Sequence, residues 1–87
     1  MLKEFVGQVV VVDLRSPFVC LGTLKRLDEL HLELRDADFH DLRDTDSTRE
    51  FYVAASRSTG IKRNRKRVVV PRSEVVALSL LDDVVEE

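Results

Sequence analysis

Residues 30–39 constrain the fold more than any other stretch of this chain. Leu30, Leu32 and Leu34 alternate with His31, Glu33 and Arg35, the period-two pattern of a strand with one buried face. Past Leu34 the parity reverses: Asp36 and Asp38 take the phase the leucines held, while Ala37 and Phe39 take the other. A strand keeps its apolar side chains on one side through such a reversal only if a residue is inserted, so a bulge or sharp bend is expected near Arg35 and Asp36. Bent, twisted strands build small closed barrels, in which a short sheet curls until its edges nearly meet.

The flanking segments supply the rest of such a sheet. Leu2, Phe5 and Val6 form one apolar stripe ahead of Gly7, which suits a short helix ended by a residue tolerant of positive φ. Val9 to Leu14 is rich in β-branched residues and reads as the first strand. Arg15, Ser16 and Pro17 break it, and Phe18 to Leu27 is the second strand. Its interior Gly22 calls for a bend or a close approach of another backbone. Asp28 and Glu29 turn the chain into the strand that begins at Leu30.

Residues 41–50 are polar, and Ser47 with Glu50 has the spacing of a capping box. Phe51, Ala54, Ala55 and Ser58 share one helical face before Gly60, so a helix is expected over 48–59; Phe51, Tyr52 and Val53 also suit the start of a strand. Val68 to Val70 and Glu74 to Leu81 are the last strands, joined by a tight turn at Pro71 to Ser73, with an acidic tail from Asp82 to Glu87. The expected architecture is a mainly β, five-stranded, strongly bent antiparallel barrel. It has a short N-terminal helix and a helix inserted between strands 3 and 4, in a single domain over 1–87 with the insertion at about 41–65.

At 87 residues the chain buries only about 60–65% of its unfolded surface, too little for a deep private cleft. One cysteine provides neither a disulfide nor a four-cysteine zinc site, which fits a reducing compartment. No window holds about 18 apolar residues, and the first ten residues lack the marks of a signal peptide. A soluble cytoplasmic protein that engages no membrane is expected. The sequence shows no nucleophile–base–oxyanion set, P-loop or dinucleotide fingerprint, so neither an enzyme nor a cofactor is expected.

Two segments resemble the motifs of the Sm-like (LSm) family. Val9 and Val11, the turn at Arg15 to Pro17, Cys20, Gly22, Leu24, Asp28 and the strand from Leu30 are similar to the first motif. Val68 to Val70, Pro71, Arg72, Val75, Val76 and Leu78 have the shape of the second. The resemblance covers 2–36 and 66–81 and implies a barrel whose fourth and fifth strands join neighbouring copies into a ring that binds single-stranded RNA. It departs from the family at two positions. The Asn that usually follows the Asp is absent, with His31 nearest that slot, and the Arg-Gly pair is replaced by Pro71-Arg72. On physical grounds, the strands at 68–70 and 75–81 lack the lysines and inward charges that blunt an edge, which suits a homo-oligomer joined through those edges.

Charge marks the candidate sites. The net charge of −2 hides an uneven distribution, with eight acids against two arginines from Asp28 to Asp46 and five basic residues packed between Lys62 and Arg67. Lys62, Arg63, Arg65, Lys66 and Arg67 suit phosphate contacts with RNA, or equally a solvated loop or counter-charge for those acids. His31 and Arg72 offer planes that stack on unpaired bases, although His31 also fits the outward residue of an alternating strand. Asp36, Asp38, His40, Asp41, Asp44 and Asp46 could gather oxygen ligands, but the stretch lacks the glycine and terminal Glu of a calcium loop, and no metal site is expected. Cys20 reads as a small hydrophobe, and Phe5, Phe18, Phe39 and Phe51 as core or interface anchors. Besides a ring binding RNA, the pattern allows a homo-oligomeric protein-interaction scaffold using the helix at 48–59, or a lone SH3-like module docking a peptide.

Overall fold

The computed structural model describes residues 1–44 and 47–85. A 3-10 turn at Leu2–Phe5 leads into β1 (Val9–Leu14), β2 (Phe18–Leu27) and β3 (His31–Asp41). Then come α1 (Arg49–Thr59), β4 (Arg65–Pro71) and β5 (Val75–Leu80), with 3-10 turns at Leu42–Asp44, Arg72–Glu74 and Leu81–Asp83. The strands form one antiparallel sheet in the order β4-β3-β2-β1-β5.

That order corrects the expectation of a barrel: the sheet is open. β4 pairs with β3 and β5 with β1, at opposite margins, and no ladder joins β4 to β5. The connection explains the gap. Pro71 offers no N–H, and the 3-10 turn Arg72–Glu74 carries the chain across to β1, where the Arg15 N–H donates to the Glu74 carbonyl at 2.9 Å, instead of folding β5 back on β4. Each edge strand therefore keeps one unpaired side.

The parity reversal in β3 is a bulge. Leu21 faces Asp38 and Thr23 faces Arg35, so two steps along β2 match three along β3, and Asp36 takes a left-handed φ of 50°. Beyond it Ala37 and Phe39 join Leu32 and Leu34 on the inner face. Gly22 sits against this bulge: a Cβ there would lie 3.0 Å from the Ala37 Cα, the Ala37 Cβ and the Arg35 carbonyl.

Both faces of the central strands are covered, which explains the unbroken valine run in β1. Val10, Val12 and Leu14 point inward with Cys20, Leu24, Leu32, Leu34, Ala37 and Val70. Val11 points outward with Val19 and Leu21, where Val53 of α1 and Leu81 close over them. A fully buried Val or Leu contributes about 1.5–3 kcal/mol, so this second layer carries much of the stability of a small chain. Arg49 reinforces it with an ion pair to Asp13 at 3.1 Å. Tyr52 donates its hydroxyl proton to the buried Asp38, whose other oxygen accepts from Asn64 Nδ2 at 3.2 Å.

Several local expectations shift. The helix is capped by Thr48, whose hydroxyl accepts from the Phe51 N–H at 3.2 Å, so the cap lies one residue beyond Ser47. Phe51 is 66% exposed and is not a core anchor, whereas Phe5, Phe18 and Phe39 pack against the inner core. The first helix is a single 3-10 turn, with Gly7 just beyond it at a φ of 87°. β4 starts at Arg65, which places the second half of the basic run in a strand.

Candidate nucleic-acid interface

The β2–β3 turn and the β4–β5 turn meet at one end of the sheet. Asp28 builds the first: its Oδ1 accepts from the Leu30 N–H at 2.8 Å and the His31 N–H at 2.7 Å. Those two backbone bonds, Leu30 ahead of His31, hold its carboxyl below the usual range. Arg72 ties the second turn to the first, its N–H reaching the Leu30 carbonyl at 2.8 Å and its Nη1 the Asp28 carbonyl at 2.5 Å. His31 pairs with Pro71 in the β3–β4 ladder. The structure thus places His31 and Arg72 at the same end of the sheet, both against Asp28.

An open groove of about 500 Å³ begins here, lined by Arg26, Leu27, Asp28, His31, Glu33, Arg67 and Val69. Its floor is Glu33, with a side chain only 5% exposed. Glu33 lies on the face opposite Leu32 and Leu34, so it is covered by arginine side chains and not by the apolar core. Oε1 accepts from Arg26 Nε at 2.7 Å, and Oε2 from Arg35 Nε at 2.8 Å and Arg67 Nε at 3.0 Å. These three guanidiniums, Arg35 most and then Arg26 and Arg67, hold the Glu33 carboxyl down to about 2.

The basic run divides. Arg67 enters the groove, while Arg63 is spent on Asp36 at 2.6 Å, the counter-charge role that was the alternative for this cluster. Arg65 donates to the Asn64 carbonyl, and among the described residues Lys62 and Lys66 meet no carboxylate. Sequence reasoning missed Arg26, Glu33 and Arg35. Their signal was the placement of Arg26 and Glu33 about the turn, which makes them a cross-strand pair of opposite charge.

The acidic stretch is dispersed: Asp36 pairs with Arg63, Asp38 with Tyr52 and Asn64, and Asp41 with Arg43 at 2.8 Å. Asp46 lies outside the described residues, and among those described no three His, Cys, Asp or Glu side chains converge as metal ligands. Cys20 is buried, and burial, then the nearby Asp38 charge, pushes its thiol up to about 12. No helix among the described residues is long and apolar enough to cross a membrane.

No family model and no curated protein matches the sequence. Solved structures do match the fold. The Sm protein of Pyrococcus abyssii, in complex with a uridine heptamer, superposes with a TM-score of 0.62 at 20% identity over 90% of this chain and 89% of that one. An Sm-like protein from Archaeoglobus fulgidus gives 0.62 at 18% identity over 92% and 88%. The fold is that of the archaeal Sm proteins, with α1 set between the third and fourth strands.

Proposed function

Proceeding from an Sm-like fold, we propose that this chain is a non-enzymatic subunit of a homo-oligomer and that it binds single-stranded RNA at the end of the sheet where His31 and Arg72 meet. One observation carries the reading: Arg72 Nη1 bonds the Asp28 carbonyl and His31 Nδ1 lies 3.7 Å from the Asp28 carboxylate, so both side chains gather at Asp28, at the end of the sheet where the arginine-lined groove begins. Two planar cationic or aromatic groups at one point suit stacking on an unpaired base. The likeness to a fold solved with a uridine heptamer agrees with it.

Assembly through the edges β4 and β5 gives those margins their partners. Val69 on β4 is 43% exposed and Val76 on β5 is 67% exposed, on strands that each have one unpaired side. Apolar open edges invite strand addition, and one copy's β4 against another's β5 repeats head to tail until it closes. Within the assembly, Lys62, Arg63, Arg65, Lys66 and Arg67 supply phosphate contacts, with Arg63 drawn from its pair with Asp36. The compartment is the cytoplasm.

The test is fluorescence anisotropy with a labelled uridine heptamer at low salt, beside mass measurement by light scattering. Binding by an oligomer, weakened about tenfold or more in His31→Ala/Arg72→Ala, is the expected result, since each base stack is worth about 1–3 kcal/mol. A stable monomer, or no RNA binding at low salt, overturns it. A second reading, a protein-interaction scaffold, is favoured by exposed Phe51, which flanks a groove with Ala54, Ala55 and Val85 on the outer side of α1. It predicts partner capture that fails in Phe51→Ala while the oligomer persists.

A further inference from the structure

We propose that Arg26, Arg35 and Arg67, organised by Glu33 on the outer face of β2, β3 and β4, form a clamp for the sugar–phosphate backbone of single-stranded nucleic acid as it passes along the groove from His31. The inference rests on the RNA-binding reading and adds to it a second, sequence-indifferent subsite. Its basis is how the arginines are held. Each donates to Glu33 through Nε: Arg26 at 2.7 Å, Arg35 at 2.8 Å and Arg67 at 3.0 Å. No Nη group of the three has a partner among the described residues, so the forked end of every guanidinium is left open.

The side chains of Arg26, Arg35 and Arg67 are 75%, 47% and 53% exposed, while that of Glu33 is 5% exposed. The carboxylate is thus an internal anchor, and the cations face outward. Neutralising one carboxylate requires one guanidinium, and the other two are a local surplus of positive charge that a purely structural ion pair does not explain. A guanidinium fixed at Nε has lost much of its rotamer freedom in advance, and its Nη pair matches two oxygens of a phosphate. Glu33 itself stays ionised, because the arginines hold its carboxyl down to about 2.

Position makes a nucleic acid the better fit than an acidic peptide. Arg26, Glu33 and Arg67 line the same groove as His31, so a strand with a base stacked at His31 continues over the guanidiniums without a break. Arg35 lies directly across from Arg67 in the β3–β4 ladder and extends the row. The exposed carboxylate of Glu29 in the adjoining turn would repel a peptide's acids and a phosphate alike, but only the nucleic acid also uses the stacking plane.

The experiment uses the intact assembled protein, a labelled uridine 20-mer and a salt series. Arg26→Ala/Arg35→Ala leaves Arg67 on Glu33, so the buried carboxylate keeps a partner, and circular dichroism checks the fold. The expected result is an affinity at least about tenfold weaker and a slope of log K against log salt shallower by about 1.4, two phosphates at about 0.7 each for a single strand. Arg26→Lys/Arg35→Lys keeps the slope but loses affinity, because the charge remains and the fork does not. Wild-type affinity and slope in the Ala pair overturn the clamp and leave the groove reading standing. Loss in the Ala pair with no effect of His31→Ala/Arg72→Ala upholds the clamp and removes the groove. Binding of polyglutamate but no RNA overturns both.

Discussion

Gly22→Ala adds one methyl group to the tightest point of the β2–β3 pairing. The new Cβ meets three atoms at 3.0 Å: the Ala37 Cα, the Ala37 Cβ and the Arg35 carbonyl oxygen. Two are backbone atoms flanking Asp36, which is already held at a φ of 50° by the bulge, so relief requires moving the bulge and not a side chain. Overpacking of this kind costs about 1–3 kcal/mol. Replacing glycine by alanine also removes freedom from the unfolded chain, which returns about 0.4–1 kcal/mol. The net expectation is a loss of about 1–2 kcal/mol. For a domain of this size that lowers Tm by about 5–15 °C. With a urea slope near 1 kcal/mol/M it moves the midpoint by about 1–2 M. Urea and thermal melts by circular dichroism, at one protein concentration because assembly shifts apparent stability, read it directly. Ala37→Gly in the same chain removes one of the three contacts and should recover part of the loss. A Gly22→Ala protein melting at the wild-type midpoint would refute the view that this glycine is required by the bulge opposite it.

Tyr52→Phe removes the hydroxyl that bonds buried Asp38, and a hydrogen bond to a charged group is worth about 1.5–3 kcal/mol; thermal melts should show the loss, and a double-mutant cycle with Asp38→Asn should be non-additive. Acid acts through Glu33: its carboxyl is lowered from an ordinary 4.5, so its contribution is complete above that value and disappears as pH falls toward about 2, which an acid titration of Glu33→Gln against wild type should reveal as a lost transition. Alkali acts through Cys20, whose thiol rises from 9.0 to about 12. Its contribution is complete below pH 9 and lost toward 12, and at pH 8 the thiol should resist a disulfide reagent until the chain unfolds.

Much of the fold is legible in local pattern because its causes are local. The shift of apolar residues from even to odd positions at Asp36 announces the bulge, and Gly22 announces the close approach; each needs only a few neighbouring residues to interpret. The open margin is not local. Nothing within Val68–Leu81 says whether β5 returns to β4 or crosses to β1, since both choices pair the same valines. The capping residue is equally balanced on paper, Ser47 and Thr48 being adjacent hydroxyls, and backbone geometry selects Thr48. At the site, His31 and Arg72 could be chosen by type and by their places beside turns. The arginines around Glu33 come from three strands, and only the ladder register shows that Arg26, Arg35 and Arg67 converge. Position along the chain likewise hides how the basic run divides, with Arg63 and Arg67 turned to acids from β3 and Lys62 and Lys66 left to solvent.

The seating of α1 on Val11, Val19 and Leu21 limits how this fold can be shortened. An inserted helix looks like the part to trim when a minimal domain is wanted. Here its removal would uncover three large aliphatic side chains on the outer face and strand Asp38 without Tyr52. A version lacking 45–64 would have to be rewritten at Val11, Val19, Leu21 and Asp38 before it could stay in solution, so the insertion and the strands beneath it can change only together.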